Sequence, residues 1–278
     1  MIKRNIVSLL AILAFLSCLL PGCQQDPPNS DPDPTPPPQP VNFRYRDSIL
    51  YLSDVEANNF VAPLPTGRTG TYFAWPDELE INPTTGVINL KESETGLRYK
   101  VMFVPTGTRD TFSTKIVVSG INYRDYYHVQ AENDSLSRPF YNANFSQFTL
   151  PSGCRFDIGG GARAAGLAID TVTGVINLNQ SIRNGFLGHV PVQDRDKNEV
   201  EILYRIPDAS GYALNKIKVK LYFYTNTSTV ESDLTLLLAD RTDMFFRMAN
   251  NFNVPAGNMA RPLVSRPRPP CVIILGQR

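Results

Sequence analysis

An internal repeat constrains this chain's fold more than any other feature. Ile81-Asn82-Pro83-Thr84-Thr85-Gly86-Val87-Ile88-Asn89-Leu90 recurs as Ile169-Asp170-Thr171-Val172-Thr173-Gly174-Val175-Ile176-Asn177-Leu178, with seven of ten positions identical at a spacing of 88. Upstream, Leu64-Pro65-Thr66-Gly67 matches Leu150-Pro151-Ser152-Gly153 at a spacing of 86. Downstream, Lys115-Ile116-Val117-Val118 matches Lys216-Ile217-Lys218-Val219 at 101. Three landmarks in one order mark a duplicated module. The growing offset places an insertion of about 13 residues in the second copy, between Leu178 and Lys216.

The repeated element reads as turn and strand. Thr-Gly between apolar stretches is a turn whose Gly takes positive φ without a steric penalty, and Val-Ile-Asn-Leu follows as a short strand. Further on, Tyr99, Val101 and Phe103 alternate with Lys100 and Met102, and Ile202, Tyr204 and Ile206 alternate with Leu203 and Arg205. The parity of these runs relative to Pro105 and Pro207 differs, so strand register is not expected to transfer between copies. Short strands with turn signals every eight to twelve residues predict an all-β chain of two tandem antiparallel β-sandwiches, at 42–122 and 123–226. Residues 227–278 match neither copy. There Leu234, Leu237, Leu238, Arg241, Phe245 and Met248 fall at helical spacing, with Ser232-Asp233 as a candidate cap, which predicts a helix over about 232–250. Cys271-Val272-Ile273-Ile274-Leu275 reads as a final buried strand, expected at the edge of the second sandwich.

Around these residues the chain resembles the immunoglobulin-like and cadherin-like repeats of bacterial surface proteins, in which Gly-Leu-x-Ile-Asp-x-x-Thr-Gly-x-Ile precedes a Gly-x-Tyr-x-Val strand. Gly166 to Leu178 carries the first part, and Gly96-Leu97-Arg98-Tyr99-Lys100-Val101 carries the second in copy one. Copy two lacks a clean second part because its insertion lies there. The resemblance spans roughly 42–226 and implies immunoglobulin-like sandwiches. It says little of function, since such modules serve as stalks, spacers and adhesins alike.

The N-terminus reads as an address. Lys3 and Arg4 precede an apolar run from Ile6 to Leu20, and Leu20-Pro21-Gly22-Cys23 resembles a lipobox, so 1–22 is expected to be a lipoprotein signal peptide and Cys23 its acylated residue. Pro21 departs from the usual small residue, and Phe15-Leu16-Ser17-Cys18 is a competing match. About 15 apolar residues fall short of the roughly 20 that span a bilayer, which argues against an uncleaved anchor. Several acyl chains on one Cys bind a membrane firmly. Gln24 stands where an Asp would retain a lipoprotein in the inner membrane, which implies the outer membrane, on its periplasmic or its outer face. Gln24–Pro40 holds eight Pro among 17 residues. It cannot bury enough surface to fold, and reads with Cys23 as a disordered tether over 23–41, up to roughly 50 Å long at about 3.1 Å per residue.

Candidate chemistry is sparse. Losing 1–22 lowers Lys+Arg from 27 to 25 against 26 Asp+Glu, a net charge near −1 with no basic stripe for nucleic acid. Two His, His128 and His189, without His-x-x-x-His or Cys-x-x-Cys spacing, argue against zinc, and no Gly-x-Ser-x-Gly elbow occurs. Gly159-Gly160-Gly161-Ala162-Arg163-Ala164 formally fits a dinucleotide fingerprint, but Leu167-Ala168-Ile169 and a turn follow where a helix is required, so a loop is expected. Asp194, Asp196 and Asn198 are candidate calcium ligands in alternating positions, although the loop lacks a Gly at position six and a Glu at twelve. Cys154 and Cys271 remain for a disulfide in an oxidising compartment, or as two buried thiols. Tyr123, Tyr126, Tyr127, Phe140, Tyr141, Phe145 and Phe148 crowd the junction of the copies, and burial there is preferred to an exposed platform. Together these features point to a non-enzymatic envelope lipoprotein that binds a glycan or a protein. The alternative is a structural component of an outer-membrane complex.

Overall fold

The computed structural model describes residues 43–130, 134–250 and 271–276, with backbone alone for 271–275. The expected signal peptide over 1–22, Cys23 and the Pro-rich segment lie outside the described residues. The chain is mostly β, in several sheets with few helices. Its strands are β1 (Ile49–Leu50), β2 (Phe60–Val61), β3 (Gly70–Trp75), β4 (Ile88–Asn89), β5 (Arg98–Pro105), β6 (Phe112–Val118) and β7 (Ile121–Asn122). There follow β8 (Tyr126–Val129), β9 (Leu136–Ser137), β10 (Phe140–Tyr141), β11 (Arg155–Phe156), β12 (Ile176–Asn177), β13 (Lys197–Arg205), β14 (Leu214–Tyr224) and β15 (Cys271–Leu275). Among the described residues three α-helices interrupt them: α1 (Gly161–Ala164), α2 (Leu178–Arg183) and α3 (Ser232–Ala249).

The repeated sequence folds twice into the same device. Gly86 N–H donates to the Asn82 carbonyl and Asn82 N–H to the Val87 carbonyl; Gly174 and Asp170 repeat both bonds with Asp170 and Val175 as partners. The Asn82 and Asp170 side chains each accept from the two turn N–H groups ahead, Thr84 and Thr85 in one, Val172 and Thr173 in the other. Such side-chain turns are why Asn or Asp opens the motif. Both glycines sit near φ +70. A Cβ on Gly86 would lie 2.7 Å from the Tyr72 ring and one on Gly174 2.8 Å from the Phe156 ring, so the position requires Gly twice over. A buried tyrosine then ties each turn to its module: Tyr45 donates to the Gly86 carbonyl at 2.7 Å, Tyr123 to that of Gly174 at 2.5 Å.

Strand pairing extends the correspondence. β2 pairs β4 as β9 pairs β12, β3 pairs β5 as β11 pairs β13, and β5 pairs β6 as β13 pairs β14. Tyr72 faces Phe103 where Phe156 faces Tyr204, so the strand after the turn does carry its register across, at an offset of 101. The differing proline parity misled because Pro105 aligns with Ile206. The next strand shifts again. Lys100 pairs Lys115 but Glu201 pairs Lys218, so Lys115 corresponds to Lys218, not Lys216; in-out alternation survives a two-residue shift. The insertion of copy two forms α2 and the loop to β13. Along β13–β14, Ile202 opposite Ile217 faces the core while Glu201 opposite Lys218 faces water, a paired pattern that fixes the register.

The larger sheets differ in one place. The first runs β1-β6-β5-β3, with β1 parallel to β6. The second runs β11-β13-β14-β15-β8. Here β15 lies between β14 and β8 and is parallel to both. It is an inner strand, not the edge strand expected from sequence. A parallel neighbour needs a long crossover, and 225–270, which contains α3, supplies it. Apolar spacing of four, three, four and three residues from Leu234 through Leu238, Arg241 and Phe245 to Met248 gives α3 one buried stripe. At about 1.5 Å per residue its 18 residues span about 27 Å. Leu234 and Leu238 pack with Tyr224, whereas Met244, Phe245 and Met248 join the core of the first copy, so one helix braces both. Its N-cap is Glu231 without a side-chain bond, one residue before the expected Ser232.

Candidate functional site

An open groove of about 380 Å³ lies on the first copy, built by β2, β4 and the repeated turn. That volume is within the range of small-molecule sites. Phe60 forms one wall with half its surface exposed, although apolar burial would favour turning it inward. It does so because β2 places Phe60 and Val61 on opposite faces, and Val61 takes the core. Glu80, Asn82, Thr85 and Asn89 supply its polar lining. Asn82 spends its carbonyl oxygen on the turn, and Asn89 accepts from Lys91 N–H at 3.1 Å. Their amide N–H groups and the Glu80 carboxylate bond no partner among the described residues. The groove therefore presents an aromatic face, two amide donors and one anionic acceptor. In the second copy Leu136 stands for Phe60, Ala168 for Glu80 and Asp170 for Asn82, while Asn177 repeats Asn89, so the scaffold is shared and the aromatic wall, the carboxylate and the Asn82 amide belong to copy one.

A second cluster sits at the heart of the junction. Arg241 of α3 is 2% exposed and donates to three carboxylates: Asp125 Oδ2 at 2.6 Å, Glu78 Oε1 at 2.7 Å and Glu94 Oε1 at 2.7 Å. Asn122 adds a 2.7 Å bond to the same Glu94 oxygen, and the Phe245 ring lies under the guanidinium at 5.6 Å. The Tyr99 hydroxyl bonds the backbone carbonyls of Glu94 and Glu78 at 2.7 and 3.2 Å, which fixes both acidic residues. Burial raises the Glu94 carboxyl to about 7, with Arg241 pulling it down and Glu78 and Asp125 pushing it up. Three acids around one base leave negative charge uncompensated in a dry site, and Glu94 relieves it by holding its proton to higher pH. The cluster is a strut that ties α3 to the first copy and to the Asp125 linker. Charged partners fix direction as well as contact, so α3 has one seat.

The residues singled out in the sequence are mostly placed apart. Cys154 is a free, buried thiol, pushed up to about 11 by burial, so of the two alternatives read from the sequence the disulfide with Cys271 is not formed. Register explains why. Cys154 adjoins the Arg155–Arg205 pair, while Cys271 pairs Lys220, which pairs Glu199. Six residues along β13 are about 20 Å, with β13 and β14 lying between, against the roughly 7 Å that a disulfide spans. The calcium candidates point to separate tasks. Asp194 accepts from Thr225 N–H, Thr225 Oγ1 and Thr229 Oγ1; the first of these most lowers its pKa. Asp196 holds His189 and Gln193 N–H, and Asn198 donates to the Phe186 carbonyl. Among the described residues no three His, Cys, Asp or Glu gather as a metal site. The glycine-rich run forms the four-residue α1 instead of a loop, because buried Asp157 caps Ala162 N–H and holds Arg163. His128 is buried and its pKa lowered by that burial, with Asp134 alongside at 3.0 Å opposing the shift.

Of the junction aromatics, Tyr123 and Phe140 are fully buried, and Phe145 packs edge-on between Phe140 and Phe245. Tyr126 and Phe148 are about half exposed, so the aromatics form a core and not a platform. The Arg241 cluster escaped the sequence reading, yet it left a signal: a charged residue at a buried position of an apolar helical stripe must find partners. The partners themselves, 116 to 163 residues away, left none. No known protein family and no curated protein matches the chain.

Proposed function

We propose that this chain is a non-enzymatic binding lipoprotein of the outer membrane, with the groove beside Phe60 as its glycan site. In this reading acyl chains on Cys23 hold the protein, Gln24–Pro40 spaces it from the lipid, and two immunoglobulin-like sandwiches form its body. The groove carries the proposal. A sugar offers an apolar face for an aromatic ring and hydroxyls for amide and carboxylate partners, and these are the groups that Phe60, Asn82, Asn89 and Glu80 present. Binding is supported over hydrolysis because Glu80 is the single carboxylate of the lining, and glycoside cleavage uses two. Affinity electrophoresis through a panel of bacterial and host polysaccharides tests this. The wild-type chain is expected to be retarded by at least one. Phe60→Ala should then lose about 2 kcal/mol, roughly 30-fold in Kd, as for a typical binding hot spot. No retardation by any polysaccharide, or an unchanged Phe60→Ala, rejects the reading.

The alternative, a permanent part of a larger complex, draws on Leu236 and Phe246 of α3, each 66% exposed. Two separate side chains fall short of the contiguous patch that a permanent interface presents, so binding is the preferred reading.

A further inference from the structure

The two copies differ at one joint, and that difference assigns a role to β15. In copy one, β1 closes directly on β6, with Ile49 beside Val117 and Leu50 beside Val118. Its counterpart in copy two is β8, since Tyr45 and Tyr123 make the same bond to their turns five residues or fewer before these strands. β8 does not pair with β14. Instead β15 stands between them, with Lys220 through Tyr224 paired on one side and Tyr126 through Val129 on the other. Copy two therefore has a slot that takes one parallel strand, and copy one shows that the same sheet also closes with no strand in it.

We propose that β15 is an exchangeable strand, which enters the β8–β14 slot of a second copy of this chain and joins copies together. Three observations carry this. Backbone pairing on both sides holds β15, and this bonding is indifferent to which copy supplies the strand. The vacated sheet has an alternative closure, β8 on β14, so release leaves no permanently open edge. The strand itself, Cys-Val-Ile-Ile-Leu, is too apolar to remain in water, and an identical slot on another copy fits it in the same register. The 21 residues between α3 and β15, at no more than about 3.5 Å each, can reach a neighbouring molecule. A second copy is thus the occupant favoured over an unrelated strand, because it alone brings a matching partner for both edges. The inference is independent of the groove beside Phe60, and neither result bears on the other.

The register supplies its own test, because Cys271 pairs Lys220. In the full chain with Cys18, Cys23 and Cys154 replaced by Ser, Lys220→Cys leaves one introduced thiol beside Cys271. Isotope-labelled and unlabelled copies are purified, mixed in equal amounts at high concentration, warmed below the melting transition, oxidised and mapped by mass spectrometry. Exchange predicts 220–271 disulfides that join labelled to unlabelled chains, approaching about half of such links at full exchange, and a shift from the monomer band to multiples of its mass. Links confined within single chains at every concentration would overturn the proposal, and so would the absence of any 220–271 link. Lys218→Cys, two residues out of register, must form mixed links at a clearly lower yield. Equal yield would mean random collision and would also overturn it.

Discussion

Replacing Arg241 by Met keeps an unbranched apolar stem and removes the guanidinium whose charge three buried carboxylates share. In the native protein, bonds of 2.6 to 2.7 Å reach Asp125, Glu78 and Glu94, whose side chains are 2%, 10% and 4% exposed. Removing one partner of a buried ion pair typically costs about 3–5 kcal/mol, because the remaining charge stays in a poor solvent. For a unit of this size, about 2–4 °C of melting temperature accompanies each kcal/mol, so Arg241→Met should melt roughly 6–20 °C below wild type at pH 7.5. Lys91→Met is the control. It breaks the exposed pair with Glu56 and should cost no more than about 1 kcal/mol. Acid should narrow the Arg241→Met deficit, since a protonated Glu94 carboxyl no longer repels its neighbours. Thermal melts followed by circular dichroism from pH 5 to 7.5 measure both effects. An Arg241→Met protein that melts with wild type at pH 7.5, or whose deficit widens in acid, would refute the reasoning.

Three further outcomes follow from the same physics. Glu94 has its folded pKa raised from 4.5 to about 7, so the folded state keeps a proton that the unfolded state has lost; this contribution is complete below about pH 4.5 and fades as pH rises through 7, and Glu94→Gln should flatten the melting profile across that window. Gly174→Ala should destabilise by about 1–3 kcal/mol in urea melts, because a Cβ there meets the Phe156 ring at positive φ, whereas Gly107→Ala, also at positive φ but in open space, should lose less. Truncation after Arg266 removes the strand between β8 and β14 and should lower the melting temperature; hydrogen exchange should then show β14 losing protection before β5 does.

Local chemistry was legible from the sequence. The turn around Gly86 and Gly174, the strands that follow it and the helix over 232–249 all depend on residues within a turn or two of one another. Leu234, Leu238 and Phe245 declared their burial by period alone. What stayed hidden depends on partners far along the chain. Nothing near Val272 says that Leu221 and Tyr126 will flank it, because parallel pairing over a long crossover has no local signature. The two-residue slip that aligns Lys115 with Lys218 is likewise invisible, since it preserves alternation. Cys154 and Cys271 suited a bridge by compartment and count, and only register separates them. Groove residues such as Phe60 and Glu80 were not singled out. Their meaning came from comparing the two copies position by position, where Leu136 and Ala168 replace them.

The proposed function depends on where the protein is held, because a glycan site on a lipid anchor captures ligand at the envelope. Mass spectrometry of the mature protein's N-terminal peptide, taken from membranes of cells that express the whole gene, tests that anchor directly. The account predicts an acylated Cys23 followed by Gln24, with residues 1–22 gone. A peptide that begins at Met1, or acyl chains on Cys18, would contradict it.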